Sequence, residues 1–179
     1  MKALLVVDVQ NDFCPGGALP APDGQKVVPV INNIIDKFDL VIASKDWHPG
    51  NSVHFDKWPV HCVRRTFGAE FHPELMKEKI DLVVYKGTSD IDNGYSAFEA
   101  TNVSLSEYLK EKKIDELYIT GLTTEYCVKN SVLDAIRYDF NTYLVTDAIR
   151  AVNANPGDHE KAIGEMEKAG VILIQSEDI

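Results

Sequence analysis

Four short apolar runs in this sequence each lead to a residue able to do chemistry. Ala3–Val7 runs into Asp8, and Leu40–Ala43 leads to Asp46 and His48. Leu82–Tyr85 is followed by Lys86, and Leu117–Thr120 passes through Gly121-Leu122-Thr123-Thr124 to Cys127. A thiol, a carboxylate and an amine can form a covalent hydrolase. The thiolate is the nucleophile, the carboxylate takes the thiol proton, and the ammonium holds both, with no histidine base. Asp46 and His48 stand two apart, and His61 adds a third ligand type, with His54 as a possible fourth. One carboxylate oxygen and two or three imidazole nitrogens, with positions left open, suit one divalent ion: zinc first, then iron or manganese.

Each residue also has a plainer reading. Cys127 shares an apolar stripe with Val128, Val132, Ala135 and Ile136, so it could fill a core. A carboxylate after a strand is often only its exit to solvent, most lysines are solvated, and most loop histidines bind nothing. Cys62 reads as packing, and His72 and His159 as surface or helix-entry residues. Convergence favours chemistry, because open α/β sheets bind ligands outside the carboxyl ends of their strands. At such an edge Asp8 would be a base whose pKa is raised by burial. The start of a helix would lower the thiol pKa of Cys127. The Gly121–Thr124 entry could aim backbone N–H groups at an oxyanion, or be a simple turn.

The elements that would position these residues follow from periodicity. The four runs, with Thr142–Val145 and Val171–Ile174, are rich in Val, Ile and Leu on successive residues, as in strands buried on both faces. Helical spacing marks Val27–Phe38, Glu125–Asp139 and Asp158–Ala169, the last stopped by Gly170. Another helix starts at Ser104, where Glu107 predicts a capping box. The class is a three-layer α/β/α domain around a mostly parallel six-stranded sheet, spanning residues 1–179 as one domain. The segment from 46 to 73, with two Trp and four His, has no clear period. A loop that long is usually functional.

Composition narrows the partners. A formal charge of −10 over 179 residues argues against nucleic acid and anionic membranes, and leaves a small neutral substrate open. No apolar stretch approaches the ~20 residues of a membrane span. The first residues read as a strand, not a signal peptide, and three cysteines cannot all pair, so the expected location is the cytoplasm. A homo-oligomer is left open.

Several segments resemble the isochorismatase-like cysteine hydrolases, and within them the nicotinamidase branch. They are LLVVDVQNDFCPGGAL at 4–19, SKDWHPGNSVHF at 44–55, WPVHCV at 58–63, YKG at 85–87, YSAF at 95–98 and GLTTEYCV at 121–128. The resemblance spans nearly the whole chain and implies that family's fold and a small aromatic amide, nicotinamide or pyrazinamide, as substrate. It implies Asp8, Lys86 and Cys127 as the triad, and Asp46, His48 and His61 as metal ligands. His54 aligns with a ligand that only some members use. Phe13, Trp58 and Tyr95 would sandwich the ring. A cis Leu122–Thr123 bond and the N–H groups of Thr123 and Cys127 would form the oxyanion hole. A relative cleaving a ureido or carbamoyl compound would share the triad, and a non-catalytic binding module would lack a member of it.

Overall fold

The computed structural model describes residues 1–179. Six strands form one parallel sheet: β1 (Lys2–Val7), β2 (Leu40–Asp46), β3 (Leu82–Lys86), β4 (Glu116–Leu122), β5 (Asn141–Arg150) and β6 (Ile172–Ile174). Their order is β3-β2-β1-β4-β5-β6, and every neighbouring pair is parallel. The chain winds outward from β1 to β3, then crosses back to start again at β4. The reversal falls between β1 and β4, where this class of sheet opens a crevice.

Four α-helices cover the sheet: α1 (Val27–Ile34), α2 (Leu105–Glu111), α3 (Lys129–Arg137) and α4 (Asp158–Ala169). Successive strand residues serve opposite faces. Ala3, Leu5 and Val7 join Leu105, Leu109, Val132, Ala135 and Met166 of α2, α3 and α4. Leu4 and Val6 join Val27, Val28, Ile31 and Ile34 of α1, with Cys62, Ala69 and Phe71 from the long 46–73 segment. That segment therefore covers part of the sheet as a layer. It is held by 3-10 turns at Val53–Asp56 and Phe67–Ala69 and by isolated bridges from Gln10 to Phe71 and from His48 to Val63. No helix is long and apolar enough to cross a membrane.

The structure corrects four local expectations. The helix read as Val27–Phe38 is α-helical only to Ile34, tightens to a 3-10 turn at Ile35–Lys37, and is extended at Phe38. Ser104 makes no side-chain cap to α2; the capping box closes instead at Ser96 and Glu99. The segment read as one helix from Glu125 begins as a π turn, Thr124–Val128, before α3. β5 outruns the apolar stretch Thr142–Val145 and reaches Arg150, because after an irregularity in register it pairs again with Gly121 and Leu122.

Candidate active site

Asp46 is the last residue of β2 and Lys86 the last of β3, and the two are paired in register. Asp8 leaves β1 beside them, its N–H bonded to the Ser44 carbonyl at 3.2 Å. Cys127 comes from the far side of the crevice, in the π turn after β4. Lys86 is wholly buried and joins all three. Its Nζ lies 2.7 Å from Asp8 Oδ2, donates to Cys127 Sγ at 3.3 Å and to the Gly94 carbonyl at 2.8 Å, and also bonds Asp46 Oδ1. Carboxylate oxygens of Asp8 and Asp46 and the Cys127 sulfur lie within 4.8 Å of one another. Cys127 also packs with Val128, Val132 and Ala135, so the core stripe and the reactive position are the same place.

Burial governs the protons here. It would favour a neutral Lys86, but Asp46, Asp8 and Cys127 outweigh it and hold the ammonium well above its usual range. Burial raises the Asp8 pKa; the Lys86 charge opposes this and Asp46 adds to it. Burial also opposes the Asp46 anion, yet the Lys86 charge takes its pKa well below the usual carboxylate value. The expected lowering of the Cys127 pKa is reversed. Desolvation pushes the thiol well up, and the help from Lys86 is offset by Asp8 and Asp46. Burial therefore favours the neutral thiol, and Asp8, of raised proton affinity, lies close to it.

Three imidazoles converge beside Asp46. His48 Nδ1 meets the Gly87 carbonyl at 3.0 Å, His61 Nδ1 the Pro59 carbonyl at 2.6 Å, and His54 Nδ1 the Asp92 carboxylate at 3.0 Å. Each partner can only accept, so in the neutral imidazole each Nδ1 carries the proton and each Nε2 keeps a free lone pair. The Nε2 atoms of His48 and His61 stand 3.5 and 3.7 Å from Asp46 Oδ2. One ring nitrogen from each histidine lies within 4.8 Å of the others, and the buried His48 Nε2 has no hydrogen-bond partner. An orphaned lone pair among two others and a carboxylate oxygen fits a divalent cation, with acceptors fixing each tautomer from behind.

The cleft, about 390 Å³ with its open mouth, is lined on its walls by Phe13, Trp58, Tyr95, Tyr126, Leu19 and Val152, and reaches Asp46, His54, His61, Thr123 and Cys127. Trp58 Nε1 donates to Tyr95 Oη at 3.1 Å, and Trp58 meets Tyr126 edge-on at 4.8 Å. The Leu122–Thr123 bond is cis, and the Thr123 N–H donates to no group of the protein. All the residues singled out from the sequence thus meet in or beside one cleft. The fit is to a flat, mainly apolar molecule with one polar end at the thiol and another at the histidines.

Several neighbours escaped the sequence reading. Gln10 grips the backbone of Asp46 at both N–H and C=O, each at 2.9 Å. Gly87, Gly94 and Asp92 act through two carbonyls and a carboxylate behind the site, Leu19 and Val152 come from separate loops, and Tyr126 from the π turn that carries Cys127. Of these only the glycines carry a local signal. Gly87 has φ +63°, and a Cβ there would stand 2.5 Å from the His48 ring.

The isochorismatase domain family matches residues 2–178. The nicotinamidase of Escherichia coli is 40% identical, over 96% of this chain and 93% of its own length. The pyrazinamidase of Pyrococcus horikoshii in complex with zinc superposes with a TM-score of 0.88 at 41% identity, covering 97% of this chain and 98% of its own. PnC1 of L. infantum in complex with nicotinate gives 0.93 at 31% identity, covering 99% and 93%. A family match over residues 2–178 and relatives this similar over nearly their whole length show that the chain belongs to the isochorismatase domain family.

Proposed function

We propose that this chain hydrolyses nicotinamide to nicotinate and ammonia through a thioester on Cys127, and accepts pyrazinamide, which differs by one ring atom. The observation that carries the reading is the single Lys86 ammonium in contact at once with Asp8, Asp46 and the Cys127 sulfur beneath an aromatic cleft. The nicotinamidase and pyrazinamidase relatives supply the substrate class.

In this reading Phe13, Trp58 and Tyr95 hold the ring, which sets the carboxamide carbon over Cys127 and removes the entropic cost of alignment from the chemical step. Asp8 takes the thiol proton as sulfur attacks. Burial raises the proton affinity of Asp8, which favours this transfer, while the raised thiol pKa opposes it. Lys86 remains charged and balances whichever of the two is the anion. The N–H groups of Thr123 and Cys127 face the carbonyl oxygen as it becomes an oxyanion. The carbon–nitrogen bond breaks, Asp8 returns its proton to the leaving nitrogen, and ammonia departs. Asp8 then takes a proton from water, whose oxygen attacks the thioester. The carbon–sulfur bond breaks, Asp8 returns its proton to the sulfur to restore the thiol, and the carboxylic acid product gives its own proton to solvent or ammonia and leaves as nicotinate. Asp46, His48, His61 and His54 would hold one divalent ion, zinc or else iron or manganese, which when bound supplies a Lewis-acid contact for the pyridine nitrogen.

The test is ammonia release from nicotinamide, pyrazinamide and a non-aromatic amide. Cys127→Ala is expected to reduce release to background with unchanged circular dichroism. Substantial turnover by that variant would overturn the nucleophile assignment.

A further inference from the structure

Behind the histidines, the segment from Gly87 to Gly94 fastens the site from one side. Its first residue accepts from His48 Nδ1 and its last from Lys86 Nζ. In between, Asp90 Oδ1 accepts from the Val53 N–H at 3.0 Å, steadying the turn that carries His54. Asp92 does more. Its Oδ1 alone accepts from His54 Nδ1 at 3.0 Å and from Tyr95 Oη at 2.8 Å, and Tyr95 Oη in turn accepts from Trp58 Nε1. Its Oδ2 pairs with Lys57, whose side chain is 66% exposed. One oxygen thus ties an imidazole of the cation cluster to two rings of the substrate wall.

We propose that Asp92 is a positioning residue that couples occupancy of the metal site to the shape of the aromatic wall, through the shared hydrogen bonds of its Oδ1 to His54 and Tyr95. The inference rests on His54 being a metal ligand and on the aromatic cleft holding the substrate ring. A carboxylate behind a ligating imidazole fixes its tautomer, aims its Nε2 and raises its basicity. Here the same oxygen orients the Tyr95 hydroxyl, and through it Trp58. Anything that fixes His54 therefore reduces the freedom of Tyr95, and a disordered wall releases His54. Lys57 only closes the solvent side of the carboxylate, where ion pairs are weak.

Zinc affinity, by competition with a chromogenic chelator, and kcat and KM for nicotinamide are measured on the full chain. The variants are Asp92→Ala, Asp92→Ser, Asp92→Asn, Lys57→Met, His54→Ala and the double variant His54→Ala/Asp92→Ala. Asp92→Ala and Asp92→Ser are expected to weaken zinc binding about 10- to 100-fold. They should also raise KM while kcat stays within about threefold. Asp92→Asn keeps an acceptor oxygen and should restore most of both, and Lys57→Met should match the parent. In the His54→Ala background, removal of Asp92 should cost no further zinc affinity, because the two act as one unit. Melting of the metal-free forms should be unchanged, which a merely structural role would not give. Parental zinc affinity in Asp92→Ala and Asp92→Ser would overturn the inference, as would an undiminished loss in the double variant. A parent chain that binds no zinc, or a His54→Ala variant that binds it normally, would instead overturn the metal reading beneath it.

Discussion

At the scale of single residues, Asp8 is held between opposing influences. Burial raises its pKa, Lys86 lowers it, Asp46 raises it again, and Ser44 Oγ donates to its Oδ1 at 2.7 Å. The working base is the carboxylate, so kcat/KM for nicotinamide should climb with pH along an acid limb above the ordinary carboxylate value of 3.8. The effect of removing Ser44 has a definite sign. Its hydroxyl donates to the charged form, so Ser44→Ala removes support from the anion and raises the Asp8 pKa further. A hydrogen bond to the charged form holds the pKa down, so its loss should move the limb to higher pH. A pH series on the parent and the variant checks this. A limb that stays still, or moves down, would show that the titrating base is another group. The Cys127 thiol gives no competing limb on the acid side, because its own pKa lies well above the usual thiol range.

At the scale of elements, the end of β3 and the segment after it do the positioning that the strands alone cannot. Gly87 turns the chain at φ +63°, and its carbonyl fixes His48. In Gly87→Ala the methyl would lie 2.5 Å from His48 Cε1 and 2.8 Å from Nδ1, and positive φ is strained for alanine in any case. The imidazole must shift. Metal content of the purified variant, by elemental analysis, should fall well below the parent's, while far-UV circular dichroism stays the same because the sheet is untouched. Normal metal content would show that His48 is not held by this turn. The same stretch marks where the sequence becomes unreadable. The β1 and β2 runs were legible because burial on both faces writes itself as consecutive Val, Ile and Leu. The reactive residues were legible because they stand where those runs stop. Gln10, Asp92 and the Gly94 carbonyl act across 36, 38 and 8 residues of chain, through contacts with no local period. The Cys127 pKa is not legible in the sequence for a related reason. A helix start is visible in sequence, whereas the depth at which it is buried, and the two carboxylates facing it, are tertiary facts. The Ser104 cap failed likewise, since the pattern permits a capping box without requiring one.

At the scale of the whole molecule, Cys127 and Phe13 belong to both the site and the apolar core, whereas the cation cluster stands apart from that core. Two apolar clusters of 21 buried residues each lie against the two faces of the sheet, and neither includes any of the three clustered histidines. The cation cluster sits on the layer formed by the 46–73 segment, outside the β2 end, where Cys62, Ala69 and Phe71 anchor it. Removing the ion should therefore leave the sheet standing and weaken what depends on the histidines. Chelated protein is expected to keep its far-UV spectrum and to unfold cooperatively at a lower Tm. The difference reflects linkage alone, about 4 kcal/mol when free ion stands at a thousand times its Kd. Steady-state kinetics should show the loss mainly in KM, as the cleft keeps its aromatic walls and Cys127 while losing one anchor for the ring. Adding back zinc, iron or manganese in turn should restore KM to different degrees, and the order identifies the ion this donor set prefers. Two results would reverse the picture. Loss of the far-UV spectrum on chelation would make the ion part of the fold. Unchanged KM in chelated enzyme would remove it from substrate binding, leaving the three Nε2 lone pairs without the role proposed for them.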